Sequence, residues 1–145
     1  MASRVALTAT LQQKNDSFKR FTDHNPHVHS AIVDSGASGC CANDFSLILP
    51  GTLRKLDKPI PLEGIAGGYQ VEYIGKISLE TVDSDGNILP VEQTVMVNEK
   101  LPCILLSPQA LLHESAKSFD DHFSVFADRT EWHVDGTHRV DIPYD

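Results

Sequence analysis

Basic residues are scarce in this sequence, and they nowhere form a run. The 145 residues include 12 Lys and Arg against 20 Asp and Glu, so the formal net charge is −8 at pH 7. The longest basic grouping is Lys19-Arg20. A surface that binds nucleic acid needs a basic patch to neutralise phosphates. The composition therefore argues against nucleic acid as a partner.

Long apolar runs are also lacking. None approaches the roughly 18 residues of a membrane-spanning helix, and the stretch after Met1 lacks the apolar region of a signal peptide. The sequence has three cysteines, of which Cys40 and Cys41 are adjacent, and that is not the spacing of a disulfide framework. These absences predict a soluble, acidic protein that acts inside the cell and has no membrane partner.

Metal-binding spacings are missing although three histidines occur within six residues. His24, His27 and His29 are accompanied by no CxxC and no HExxH pattern. A metal site needs ligands that converge from at least two segments. Solvated loop histidines are therefore the expectation, and we predict neither a metal nor another cofactor.

The most informative stretch surrounds Asp34. Residues 31–33 are apolar and strand-forming, and they run directly into this carboxylate. The residues that follow it are all small: Ser35, Gly36, Ala37 and Ser38. A carboxylate in this position lies at the mouth of a core, and the small residues let another backbone or a ligand approach it closely. The stretch predicts a positioned catalytic aspartate in an active-site loop.

Other interpretations of this stretch have to be weighed. Asp, Ser and Gly are the commonest turn residues, so an ordinary turn at residues 34–36 is the alternative. A cysteine nucleophile needs an activating base, and none is evident beside Cys40 or Cys41, so we expect buried, inert thiols. Ser38 does not fit the GxSxG motif of serine hydrolases, because Cys40 stands where the second glycine belongs.

A second informative block covers residues 56–97. A glycine-rich tip separates two strand-like runs, and its residues are Gly64, Ile65, Ala66, Gly67 and Gly68. Because its side chains are so small, this tip could act as a mobile flap that binds substrate. An ordinary hairpin turn is the alternative. It lacks the helix and the Lys of a phosphate-binding loop. Residues 69–82 then alternate between apolar and polar, and Gly75 among them predicts a bend or bulge.

Strand patterns dominate the rest of the chain. We expect an ordinary hairpin turn at residues 83–87, a short helix or turn at 40–49, and strands at 4–11, 91–97, 124–127, 131–134 and 138–142. Ser107 followed by Pro108 predicts a helix that reaches about Ser115. The fold class is therefore mostly β, with one or two short helices.

The order of these parts resembles the retropepsin family of aspartic proteases. An apolar strand ends in residues 34–38, a glycine-rich hairpin follows, and an Ile-Leu-Leu run at 104–106 leads into a helix. The chain is most similar to the proteases of copia-type retrotransposon polyproteins, in which DSGAS and a Leu-Ile/Leu-Ser segment recur. The resemblance covers residues 28–127. Ser107 follows the apolar run as in copia-type members, whereas Cys40-Cys41 stands where many of them have a histidine.

This resemblance implies a retropepsin-like fold: a closed β-barrel-like half with a flap hairpin. Asp34 would be the catalytic aspartate, Ser35 would join a hydrogen-bond lattice between subunits, and Gly36 would lie along the substrate. Residues 64–68 would close over the substrate, and residues 104–106 would pack beneath the catalytic loop. The implied substrate is a Gag-Pol-type polyprotein, cut in the cytoplasm or within a virus-like particle.

A partner follows from the implied chemistry. Peptide hydrolysis by this route needs two carboxylates that share one proton, and the sequence contains one Asp-Ser-Gly. One aspartate per chain requires a twofold-symmetric homodimer in which both Asp34 side chains meet on the axis. We therefore expect the monomer to be inactive.

The expected organisation is a protease domain over residues 28–128. Residues 1–27 would precede it as a linker or interface strand, and residues 129–145 would follow as strands or a tail. Two other functions remain open at this point. One is a catalytically silent dimerisation or peptide-binding module with the same fold. The other is an unrelated small β-barrel binding protein in which residues 34–36 form only a turn.

Overall fold

Ten strands, one α-helix and one 3₁₀ turn make up the described part of the chain. The computed structural model describes residues 3–10, 29–34, 36–62, 69–101 and 103–144. The strands are β1 (Ser3–Thr10), β2 (His29–Asp34), β3 (Cys41–Ala42), β4 (Arg54–Leu62), β5 (Tyr69–Val82), β6 (Ile88–Val97), β7 (Ile104–Leu106), β8 (His122–Val125), β9 (Arg129–Val134) and β10 (His138–Pro143). The helix is α1 (Pro108–Glu114), and the 3₁₀ turn is Phe45–Leu47.

The strand that contains Asp34 lies inside a sheet. Seven strands form this sheet in the order β1-β2-β7-β3-β6-β5-β4, and the other three form a second sheet in the order β10-β9-β8. β2 is parallel to both of its neighbours, β1 and β7. β1 makes two further residue pairs with β5, at Ser3↔Leu79 and Arg4↔Glu80. The position of Asp34 is therefore fixed by hydrogen-bonded strands on both sides.

The mostly β class is confirmed, but the closed barrel-like half is wrong for the described residues. Their strands make two sheets and no closed barrel. β4 ends the larger sheet, and its Pro59 and Pro61 lack the N–H groups that a further strand would need. Among the described residues, the strands of the second sheet pair only with one another. It therefore covers the core as a separate layer.

A single core cluster joins the two sheets. Ala31 and Val33 of β2 and Leu106 of β7 pack with Trp132 and Ile142 of the second sheet. Each of these five side chains is at most 3% exposed. The apolar residues that precede Asp34 are therefore the anchor that holds its strand in place.

The alternation predicted for residues 69–82 is confirmed, whereas the bulge predicted at Gly75 is wrong. Val71, Ile77 and Leu79 are buried, and β5 pairs with β6 without a shift from Tyr73↔Val97 to Val82↔Ile88. A Cβ on Gly75 would lie 2.6 Å from Cγ2 of Ile48. The glycine therefore makes room for a neighbouring side chain, and β5 pairs with β6 through this position without a bulge.

The helix is confirmed at its predicted start. Ser107 is its N-cap, with Oγ accepting a hydrogen bond from the Ala110 N–H at 3.2 Å. The segment predicted as a short helix or turn at 40–49 contains β3 and the 3₁₀ turn. The strand predicted at 124–127 lies two residues earlier, at His122–Val125. It ends there because the Phe126 N–H donates to the Arg129 carbonyl and closes a turn.

Candidate active site

Asp34 is the last residue of β2. In the register its backbone lies opposite Thr10 of β1, and the preceding Val33 lies opposite Leu106 of β7. Successive strand residues point to opposite faces of a sheet. Val33 is buried in the core, and the Asp34 side chain therefore lies on the other face, where it is partly exposed. A carboxylate in this position is anchored by its strand and open to solvent.

A tight turn follows the strand and holds the carboxylate. The Ala37 N–H donates to the Asp34 carbonyl at 3.1 Å, and the Gly36 N–H donates to Oδ1 of Asp34 at 2.9 Å. The turn expected under the alternative interpretation is thus present, and it also orients the acidic side chain. Ser35 lies outside the described residues.

Small residues are needed at both ends of the loop. A Cβ on Gly36 would approach Oδ1 of Asp34 to 3.3 Å, and a Cβ on Gly39 would approach Cε of Met96 to 3.0 Å. Gly36 and Ser38 are exposed, and Ala37 is half-buried. The described loop residues next to the carboxylate are therefore small and at least partly exposed.

The loop is tied to the start of α1. The Ser107 N–H donates to Sγ of Cys40 at 3.3 Å, and Ser107 is fully buried. Leu106, which precedes it, is in the same core cluster as Val33 and Leu111 of the helix. The residue after the Ile-Leu-Leu run is therefore hydrogen-bonded to the end of the loop, while its own side chain caps the helix.

The three cysteines are free and buried, as predicted. Burial raises the pKa of Cys40 and Cys41 to about 11 and that of Cys103 to about 12. The thiolate is the nucleophilic form of cysteine. Protonated thiols at neutral pH are poor nucleophiles, so the three cysteines are unsuited to nucleophilic chemistry.

The strands on either side of the glycine-rich tip form an antiparallel pair. β4 and β5 are in register at Leu62↔Tyr69, the last pair before the tip. Gly64, Ile65, Ala66, Gly67 and Gly68 themselves lie outside the described residues, as do His24 and His27. The flap and its relation to Asp34 stay a prediction.

Sequence reasoning missed a carboxylate with four hydrogen-bond partners, that of Asp83. It accepts hydrogen bonds from the Asp85 and Asn87 backbone N–H groups at 3.0 and 2.7 Å and from Nδ2 of Asn87 at 3.1 Å, and Nδ1 of His138 lies 2.6 Å away. Burial alone would raise the pKa of Asp83, but these hydrogen bonds, with that of His138 the largest, lower it to about 2. The turn at 83–87 is therefore a structural clamp between β5 and β10.

A second charged cluster covers the outer face of β9. Glu131 is 4% exposed, and its carboxylate contacts Nη2 of Arg129 at 2.6 Å and Nε2 of His133 at 3.0 Å. Burial raises the pKa of Glu131, but the Arg129 guanidinium and the other partners outweigh burial and lower it. The carboxylate is thus held charged in a structural ion pair, and no sequence motif marked it.

Comparisons with known proteins leave the family open. No protein-family model matches the chain, and no curated protein matches it either. No helix in the described ranges is long and apolar enough to cross a membrane. The interpretation of Asp34 therefore depends on its motif and on the geometry of its loop.

Proposed function

We propose that the chain is an aspartic endopeptidase of the retropepsin type, which acts as a homodimer on a polyprotein or peptide substrate. The observation that carries the proposal is the Asp34 loop. Its carboxylate stands at the end of an interior strand, is held at Oδ1 by the Gly36 N–H, and stays partly exposed. A positioned carboxylate open to solvent can act as a general base toward water.

Two copies of Asp34 supply the two roles that the reaction needs. One carboxylate takes a proton from water as the water oxygen attacks the scissile carbonyl carbon, and the protonated partner donates to the carbonyl oxygen. Collapse of the tetrahedral intermediate breaks the C–N bond: the carboxyl group that took a proton from water gives it to the leaving amine, and the other carboxylate recovers its proton from a hydroxyl of the intermediate. Two carboxylates about 3 Å apart cannot both ionise, so the pair holds one proton between them.

The small side chains of the loop after Asp34 support the same function. Gly36 and Ser38 are exposed beside the carboxylate, so an extended peptide has room to approach Asp34. A Gag-Pol-type polyprotein inside the cell or a virus-like particle is the substrate class that the sequence resemblance suggests. The antiparallel β4–β5 pair supplies the stem on which residues 64–68 would act as a flap.

The decisive experiment compares cleavage of a peptide library by wild type and by Asp34→Asn, from mildly acidic to neutral pH, with pepstatin as inhibitor control. We expect Asp34→Asn to lose at least about 10²- to 10⁴-fold in rate, the usual contribution of general acid–base catalysis. The matched control is Asp85→Asn, the same change in an exposed turn, which should keep full activity. Cleavage that survives Asp34→Asn would place the chemistry elsewhere.

A mixing experiment tests the shared site. Wild type and Asp34→Asn are mixed in varying ratio at a constant total protein concentration at which sedimentation shows dimers. If each active site needs two Asp34 carboxylates, activity falls with the square of the wild-type fraction, to about one quarter of the undiluted rate at equal mixing. A linear fall would show that one chain suffices. No cleavage by a demonstrably dimeric wild type would favour the silent peptide-binding module.

A further inference from the structure

A cavity of about 150 Å³ lies where the second sheet meets the end of the β5–β6 hairpin. Its apolar lining comes from β6 and β9: Leu89, Pro90, Val91, Trp132 and Val134. None of these residues belongs to the loop that follows Asp34. The cavity is therefore separate from the site proposed above.

Trp132 brings an unused hydrogen-bond donor to this cavity. The side chain is 3% exposed, and its ring stacks on Phe123 with centroids 5.4 Å apart and planes 7° apart. Its Nε1–H is buried and has no hydrogen-bond partner among the described residues. The indole N–H can only donate, and buried donors in proteins almost always have an acceptor. Because Trp132 lines the cavity, a molecule bound there is a candidate source of this acceptor.

The polar residues around the cavity favour an uncharged occupant. Lys117 and Asp135 bring one positive and one negative charge, so their effects on a charged ligand oppose each other. The hydroxyl of Ser115 already lies 2.7 Å from the Glu92 carbonyl, and Nδ1 of His138 is held by Asp83. The ligand is therefore selected by the apolar lining and by the one buried donor, Nε1–H of Trp132.

We propose that this cavity binds a neutral small molecule, about the size of one aromatic ring, whose single hydrogen-bond acceptor takes the Nε1–H of Trp132. An apolar protein cavity of this volume is large enough for benzene. The stack on Phe123 holds the indole in place, so its donor is oriented before the ligand arrives.

A matched pair of ligands tests the proposal. Acetophenone and α-methylstyrene have nearly the same shape, but only acetophenone carries a carbonyl acceptor. Trp132 is the single tryptophan of the chain, so one indole N–H resonance reports the site in a ¹H–¹⁵N NMR titration. We expect acetophenone to move this resonance downfield and to bind about three- to tenfold more tightly than α-methylstyrene, since one neutral hydrogen bond contributes about that factor.

Two variants on β6 locate the binding site. Leu89→Phe enlarges a half-buried residue of the lining and should abolish the shift, whereas Ile88→Phe makes a similar enlargement at an exposed neighbour outside the lining and should preserve it. An unmoved resonance up to the solubility limit of acetophenone would overturn the proposal and assign the donor to water. Equal affinity for the two ligands, or unchanged binding by Leu89→Phe, would overturn it as well.

Discussion

Cys40 and Ser107 are 67 residues apart in the sequence, yet the Ser107 N–H donates a hydrogen bond to Sγ of Cys40 at 3.3 Å. Cys40 ends the loop that begins at Asp34, and Ser107 caps α1. The Cys40 thiol lies 4.0 Å from the Ser107 carbonyl in return. A buried sulfur thus connects the candidate site to the helix beneath it, and its pKa of about 11 keeps it protonated for that purpose.

Replacing Cys40 with Ala should destabilise the protein more than its size suggests. The change removes the acceptor of the buried Ser107 N–H, and an unsatisfied buried donor costs about 1–3 kcal/mol. Urea unfolding measures the loss. The matched control is Cys41→Ala, which removes the same atom from a side chain that is 1% exposed and receives no hydrogen bond from the described residues. Equal losses in the two variants would contradict a role for the hydrogen bond.

Gly36→Ala should damage activity while sparing stability. The new Cβ would come within 3.3 Å of Oδ1 of Asp34, so the carboxylate has to move. A displacement of about 1 Å at a reacting group costs on the order of a hundredfold in rate, so a shift of a few tenths of an ångström should lower the rate by less than that. Gly36 is exposed, and an exposed substitution usually changes the unfolding free energy by less than about 0.5 kcal/mol. Unchanged kcat with unchanged stability would show that the position of Oδ1 is not critical.

Gly75→Ala should lower the free energy of unfolding, the opposite of the usual effect of this change in a strand. In an ordinary strand the change from Gly to Ala stabilises by about 0.5–1 kcal/mol, but here the Cβ would lie 2.6 Å from Cγ2 of Ile48. We expect overpacking to cost about 1–3 kcal/mol. A double-mutant cycle with Ile48→Ala checks the cause, because that change removes the clashing atom. If Gly75→Ala is equally harmful in the Ile48→Ala background, the contact is not the reason.

The Asp83 carboxylate should contribute to stability in a defined pH window. Its pKa is about 2 in the folded protein, below the roughly 3.9 of an unfolded Asp. A lowered folded-state pKa means that the stabilisation is full above about pH 4 and is lost as the pH falls toward about 2. Asp83→Asn should therefore unfold at lower urea than wild type at neutral pH. The gap should close on acidification, and a gap independent of pH would exclude the charge as its source.

Local patterns were enough to predict most of the strands and the helix. The alternation of residues 69–82 reports one buried face, and the Ser107-Pro108 pair marks a helix start because both residues act within one turn. The position of Asp34 at a strand end could be predicted for the same reason, since an apolar run stops there. Each of these signals arises from residues within a few positions of one another.

What could not be predicted depends on pairs that are distant in the sequence. The sequence near Gly75 does not indicate that Ile48 packs against it. The sequence near Asp83 does not indicate its contact with His138, which is 55 residues away. A glycine in a strand therefore suggested a bulge, and an Asp in a turn suggested an ordinary turn. The same holds for the sheet arrangement, because separate sheets and a closed barrel contain the same alternating strands.

The link between Cys40 and Ser107 also sets an order of events during synthesis. Translation proceeds at about 5–20 residues per second, so the Asp34 loop leaves the ribosome several seconds before the segment that supports it. β2 has no β7 beside it until residues 104–106 appear. A nascent chain therefore carries the carboxylate without its scaffold, and chemistry that depends on a positioned Asp34 begins only after the start of α1 has been made.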